Sequence, residues 1–173
     1  MSVEHNLTYY VERFYANVGV FENLVSGVSM EQARWKPSAE EWSFVEVVNH
    51  LYDEERDDFR ARLDSLLHHP EREWPPIDPQ GWALERKYNE RALDESLSRF
   101  LEERRKSIAW LNGLKEPRLE NQYERPQGVL SAGDLLASWL AHDFLHIRQL
   151  ARLHWQYLNS LCTPFKTAYA GEW

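Results

Sequence analysis

Apolar residues recur every three or four positions in four segments of the chain, which is the spacing of an amphipathic helix. Two of these segments open with a helix-capping signature: Ser43 is followed by Glu46, and Ser131 by Asp134, each three residues later. We therefore predict four long helices, over residues 7–24, 43–66, 89–113 and 131–153.

The stretch between the second and third predicted helices, residues 68–88, contains four prolines and one glycine. It is too long for a tight turn and predicts a connection that crosses the bundle, with a short helix near residues 82–87. A capped turn at 29–32 and a loop at 35–42 join the first two helices, and no segment has a convincing strand pattern. The predicted fold is all-α, a four-helix bundle with a long crossover connection, in a single domain spanning residues 1–173.

The composition of the chain argues against several classes of function. The formal net charge is −8, and Lys and Arg form no long basic run, so we expect neither nucleic-acid nor membrane binding. The mixed-sign run at 102–106 predicts a solvated helix face. No signal-peptide or membrane-spanning pattern is present, and Cys162 stands alone, so we expect a cytoplasmic protein with a spare thiol.

Two histidines on the fourth predicted helix are candidate metal ligands. His142 and His146 lie four residues apart, so their side chains project from one face, and that face is otherwise apolar. A buried imidazole needs a polar partner, and one shared cation could serve both rings. The alternative is a pair of core histidines, each hydrogen-bonded to a carbonyl or a carboxylate.

A third histidine borders the apolar stripe of the second predicted helix. If His50 met the pair on the fourth helix, three imidazole nitrogens would hold one ion and leave coordination positions open, as catalytic metal sites do. Glu54 shares the face of His50 and could orient that ring, act as a general base, or be a solvated carboxylate. The remaining histidines are not expected to be ligands; they are His5, His68, His69 and His154.

Two stretches of sequence resemble the DinB-like (DinB/YfiT-like) superfamily of metal-dependent helical-bundle proteins, a damage-inducible bacterial family. They are WKPSAEEWSFVEVVNHL at 35–51 and AHDFLHIRQL at 141–150, and the resemblance extends over almost the whole chain. It implies a four-helix bundle that often forms homodimers. It also implies that His50, His142 and His146 bind one divalent metal ion, with zinc or nickel as the expected metal.

The characterised enzymes of this family use low-molecular-weight thiols: bacillithiol S-transferases and mycothiol-dependent maleylpyruvate isomerase. The resemblance therefore implies a metal-dependent transferase that joins such a thiol, as co-substrate, to a small electrophile. Aromatic residues could surround that electrophile or simply form the core; they are Tyr10, Phe14, Trp42 and Trp139. The alternatives are a metal-dependent hydrolase with Glu54 as base, a non-catalytic metal-binding stress protein, and a purely structural histidine triad.

Overall fold

The computed structural model describes residues 3–171 and 173, with side chains from residue 7 onward. Seven α-helices lie within the described residues: α1 (Val3–Val25), α2 (Met30–Arg34), α3 (Phe44–Asp53), α4 (Arg60–His68), α5 (Pro79–Glu85), α6 (Leu93–Gly113) and α7 (Ala132–Leu161). A π-helical turn (Glu54–Phe59) joins α3 directly to α4, so these three pieces make one long helix. Short 3₁₀ turns occupy Tyr88–Glu90 and Ala168–Ala170.

Four long helices form the predicted bundle: α1, the α3–α4 helix, α6 and α7. Helix α1 packs on both α6 and α7, while α3 packs on α6 and α4 on α7. The crossover prediction is confirmed, with α5 beginning three residues before the predicted short helix. Of the described helices, none combines the length and the apolar character that crossing a membrane requires.

Both predicted capping boxes are present, and they fix where α3 and α7, the helices that carry the three candidate histidines, begin. Ser43 Oγ accepts from the backbone N–H of Glu46, whose carboxylate accepts from the N–H of Ser43 at 2.8 Å. Ser131 and Asp134 make the same reciprocal pair at the start of α7. Such caps are typically worth about 1 kcal/mol each, so they stabilise the starting points of α3 and α7.

The aromatic residues considered for a substrate pocket divide between core and site. Phe14 and Trp139 are 0% and 1% exposed and pack together in one apolar cluster, and Tyr10 packs against it. The core interpretation is therefore confirmed for Phe14 and Trp139. Trp42 is different, because its ring lies against the imidazole of His50, with centroids 4.7 Å apart.

The expectation that the chain has no strand was wrong. Strands β1 (Gln122–Arg125) and β2 (Gly128–Ser131) form an antiparallel hairpin between α6 and α7. Each strand has only four residues, β1 is mostly exposed and β2 is half exposed, and neither carries an alternating apolar pattern that sequence analysis could detect. The turn closes at Gly128, whose φ of 115° suits a residue without a side chain.

The expectation that residues 102–106 form a solvated face was also wrong, because Arg104 is 2% exposed. Arg104 lies one turn after the buried Phe100 and two turns before the buried Leu111, on the inward stripe of α6. Its charge is balanced by two buried carboxylates, Glu55 and Asp143. A buried charge is tolerated when it is paired and hydrogen-bonded in this way.

Candidate metal centre

Three histidines from two helices meet inside the bundle; His50, His142 and His146 are called the histidine cluster below. His50 lies near the end of α3, and the other two lie one turn apart in the middle of α7. The Nε2 atom of His142 is 3.2 Å from Nε2 of His50 and 3.0 Å from Nε2 of His146. One nitrogen from each ring lies within 4.8 Å of the other two.

These separations suit three ligands of one metal ion. Nitrogens about 2.0–2.1 Å from a tetrahedral ion lie about 3.3 Å apart, and at a right angle about 2.9 Å. The distances from His142 Nε2, 3.0 and 3.2 Å, fall within that range. Neutral imidazole nitrogens are also donors that first-row divalent metals accept readily, so both the spacing and the chemistry of the cluster fit a cation.

Burial keeps the three imidazoles neutral at physiological pH. Burial, together with the charges of neighbouring histidines, lowers the pKa of His50 to about 3 and that of His142 to about 2. Burial also lowers the pKa of His146. Neutral rings can bind a metal without first losing a proton.

The hydrogen bond on the far side of His146 fixes the tautomer that metal binding requires. His146 Nδ1 lies 2.7 Å from Oε1 of Gln149, an acceptor, so Nδ1 carries the hydrogen and Nε2 carries a free lone pair. In the neutral ring this lone pair points at His142. Metal-bound histidines commonly donate their other N–H to such a partner, which holds the ring in orientation.

The alternative of ordinary core histidines fits this geometry poorly. A core pair would be expected to bond carbonyls or carboxylates, yet the three Nε2 atoms face one another. Nε2 of His142 carries at most one proton, so it can donate to Nε2 of only one of its two neighbours. A single proton therefore cannot make a hydrogen bond in both close contacts. A shared cation would satisfy all three lone pairs.

Glu54 is the first residue of the π-helical turn and is 5% exposed, so the solvated-carboxylate alternative was wrong. Its Oε1 lies 3.9 Å from Nδ1 of His50 and accepts no hydrogen bond from the described residues. Burial, followed by the nearby charge of Asp58, raises the pKa of Glu54 to about 8. The carboxyl group can therefore exchange a proton near neutral pH, which general acid–base catalysis requires.

Two aromatic rings flank the cluster. Trp42, from the loop before α3, packs on His50, and Phe59, at the end of the π turn, lies 5.0 Å from His142 between ring centroids. Phe59 also stacks on the buried Trp139. The two rings therefore form an apolar wall beside the imidazoles.

The other histidines lie away from the cluster. His68 and His69 have side chains 55% and 52% exposed, as expected. His154 lies 2.6 Å from the backbone carbonyl oxygen of Leu24 through its Nε2. The side chain of His5 is outside the described residues. Sequence analysis missed Gln149 as the partner of His146, although its position one turn later on α7 offered a signal.

Comparison with known proteins places the chain in a family. Residues 13–150 match the family model of the DinB superfamily, while the search of curated proteins finds no match. Among solved structures, the chain resembles YfiT from Bacillus subtilis, described as a probable metal-dependent hydrolase with an unusual four-helix bundle topology. The TM-score is 0.79 at 17% identity, over 91% of this chain and 90% of YfiT, which shows a shared fold. The chain therefore belongs to the DinB superfamily.

Proposed function

We propose that this protein is a metal-dependent enzyme in which His50, His142 and His146 hold one divalent cation, with zinc or nickel as the expected metal. The observation that carries the proposal is the convergence of three imidazole nitrogens, one from each ring, within 4.8 Å of one another. Three protein ligands leave coordination positions for a substrate, whereas structural zinc sites are normally closed by four.

A cation in this cluster would supply Lewis acidity, which lowers the pKa of a coordinated thiol or water. The chain's own residues have separate tasks around it. Gln149 holds His146 in its ligand tautomer, and Trp42 and Phe59 limit the access of bulk water. Glu54, buried beside His50, is placed to accept the proton that the nucleophile loses.

The leading reaction is transfer of a low-molecular-weight thiol to a small electrophile. The thiol gives up its proton, its sulfur forms a bond to the electrophilic carbon, and a leaving group departs or the electron pair moves onto the acceptor. This assignment rests on the thiol-dependent members of the family that the sequence resembles. The apolar wall made by Trp42 and Phe59 supports an uncharged electrophile as the partner.

Hydrolysis is the second candidate, and the position of Glu54 favours it. A carboxyl group with a pKa near 8 is a stronger base than an ordinary carboxylate once it is ionised, so at mildly alkaline pH Glu54 could take a proton from an attacking water. The structural relative YfiT is described as a probable metal-dependent hydrolase. The same ligands would then serve a different nucleophile.

One set of assays separates the two reactions. Metal-loaded protein is incubated with an electrophile panel and with bacillithiol, mycothiol or glutathione, and the loss of free thiol is followed beside ester and amide hydrolysis. Metal-dependent thiol loss that disappears in His142→Ala and persists in His154→Ala supports the transferase. Hydrolysis without thiol that falls in Glu54→Gln supports the hydrolase. Metal binding without either turnover would favour a non-catalytic metal-binding stress protein.

Three further predictions accompany the proposal: a single domain over residues 1–173, a homodimer, and a cytoplasmic location. The homodimer follows from the family resemblance, and sedimentation velocity of the purified protein tests it. A single species with the mass of one chain would contradict it.

A further inference from the structure

A second buried polar cluster lies next to the histidine cluster and has no part in the proposed chemistry. It consists of Arg104 on α6, Glu55 in the π turn and Asp143 on α7, and is called the arginine cluster below. Arg104 Nε and Nη2 each donate to Glu55 at 2.8 Å, and Nη1 and Nη2 donate to Asp143 at 2.5 and 2.7 Å. Asn17 and Trp139 add one donor to each carboxylate.

The arginine cluster binds both segments that carry the candidate ligands, at positions close to those ligands. Glu55 lies immediately after Glu54 and five residues after His50 in the same long helix. Asp143 immediately follows His142 on α7. One guanidinium on a third helix therefore ties together the two backbone segments whose spacing sets the distance from His50 to the α7 histidines.

The geometry of these hydrogen bonds requires an arginine side chain. The guanidinium is a planar fork that bonds both carboxylates in fixed directions, whereas a lysine ammonium is a point charge on a flexible stem. The rings of Phe14 and Phe100 lie against it, with the guanidinium carbon 4.7 and 5.3 Å from their centroids. The side chain is 2% exposed, so water offers no substitute partner.

We infer that Arg104 is a positioning residue for the metal centre: by holding Glu55 and Asp143 together, it sets the spacing of His50 from His142 and His146. The inference rests on the proposed function, because the spacing matters only if these histidines share an ion. Outer partners of metal ligands typically change metal affinity by about 10–100-fold when they are removed. Loss of the fork should have an effect in that range.

The test measures metal binding to Arg104→Lys beside the parent and a matched control. The control is Arg60→Lys, because Arg60 also pairs with a carboxylate on α6, Glu103, at 2.7 Å, and its hydrogen bonds go to Glu103 and Ser107. Cobalt(II) serves as the metal, since its visible absorption reports coordination geometry as well as occupancy. Circular dichroism and urea unfolding confirm that each variant is folded.

We expect Arg104→Lys to bind cobalt about 10–100-fold more weakly and to show displaced absorption bands even at saturating metal, while Arg60→Lys matches the parent. A purely structural role would lower stability and leave the bands unchanged. Parental affinity and bands in folded Arg104→Lys would overturn the inference while leaving the proposed function intact. A parent that binds no metal would overturn both.

Glu55→Gln keeps the test decisive if Arg104→Lys does not fold. The amide oxygen can still accept one hydrogen bond from the guanidinium, but the amide N–H₂ is a donor and faces another donor. One of the two hydrogen bonds between residue 55 and Arg104 is therefore lost, while those to Asp143 remain. We expect about tenfold weaker cobalt binding and a smaller displacement of the bands. Unchanged affinity and unchanged bands in folded Glu55→Gln would also overturn the inference.

Discussion

The histidine cluster and the arginine cluster lie side by side in the same bundle, yet they differ in whether their polar atoms find hydrogen-bond partners within the protein. In the arginine cluster every carboxylate oxygen accepts at least one hydrogen bond from a buried donor. In the histidine cluster three nitrogens of one kind face one another, and the adjacent Glu54 leaves an oxygen unbonded by the described residues.

This difference separates a cluster that supports the candidate site from the candidate site itself. Buried polar groups in folded proteins are nearly always paired, and the exceptions concentrate where a ligand or a reaction supplies the missing partner. The arginine cluster is complete within the protein and should stabilise the fold. The histidine cluster would be completed by a shared cation, so we expect it to carry function.

The largest predicted effect is the loss of protein stability when the arginine cluster is broken. Arg104→Met removes the cation from between two buried carboxylates and leaves their charges uncompensated, which should lower the free energy of unfolding by about 3–5 kcal/mol. Urea unfolding of the metal-free protein measures it. A loss below about 1 kcal/mol would mean that the cluster contributes little to the fold.

The second prediction concerns stabilisation by metal. Because the cation binds the assembled histidine cluster and not the unfolded chain, about 100-fold excess of metal over its Kd should stabilise the parent by about 2.7 kcal/mol. His142→Ala should gain almost nothing, and His154→Ala should gain as much as the parent. Thermal unfolding with and without zinc gives the result; equal stabilisation of both variants would contradict a site in the cluster.

The third prediction uses pH to examine the histidine cluster without metal. The pKa of His50 is lowered to about 3, whereas in the unfolded chain it stays near 6.5, so between these values the unfolded state binds more protons. Stability should therefore fall as pH falls from 6.5 toward 3, and His50 accounts for about 1.4 kcal/mol per pH unit of this loss. The slope in His50→Ala should be shallower by that amount, and identical slopes would contradict burial of a neutral ring.

The smallest predicted effect is that of a substitution distant from both clusters, which shows whether a loss of stability alone changes metal affinity. Ser131→Ala removes the capping hydroxyl at the start of α7 and should cost about 1 kcal/mol of stability. Cobalt affinity should stay at the parental value, because the histidines lie more than two turns further along the helix. A marked loss of affinity would show that stability and metal binding cannot be separated in this chain.

The parts of the site that depend on helical periodicity could be predicted from the sequence. The four-residue spacing of His142 and His146 within an apolar stripe predicted their shared inward face, because side chains four apart on a helix project together. His50 bordered an apolar stripe as well, but its assignment as a ligand came from the family resemblance. The structure brings all three together.

The features that sequence analysis missed depend on tertiary contacts. The π turn breaks the regular period just where Glu54 and Glu55 lie, and it places one beside His50 and the other on Arg104. Arg104 itself lies in a mixed-sign run that is typical of a solvated face, and its burial depends on carboxylates far away in sequence. Local pattern carries no information about either pairing.

X-ray absorption spectroscopy of the zinc-loaded protein shows whether the three imidazoles bind one ion. We expect one zinc per chain with three imidazole nitrogens at about 2.0–2.1 Å, and one imidazole fewer in His50→Ala. A shell made mainly of oxygen, or a spectrum that His50→Ala leaves unchanged, would contradict it.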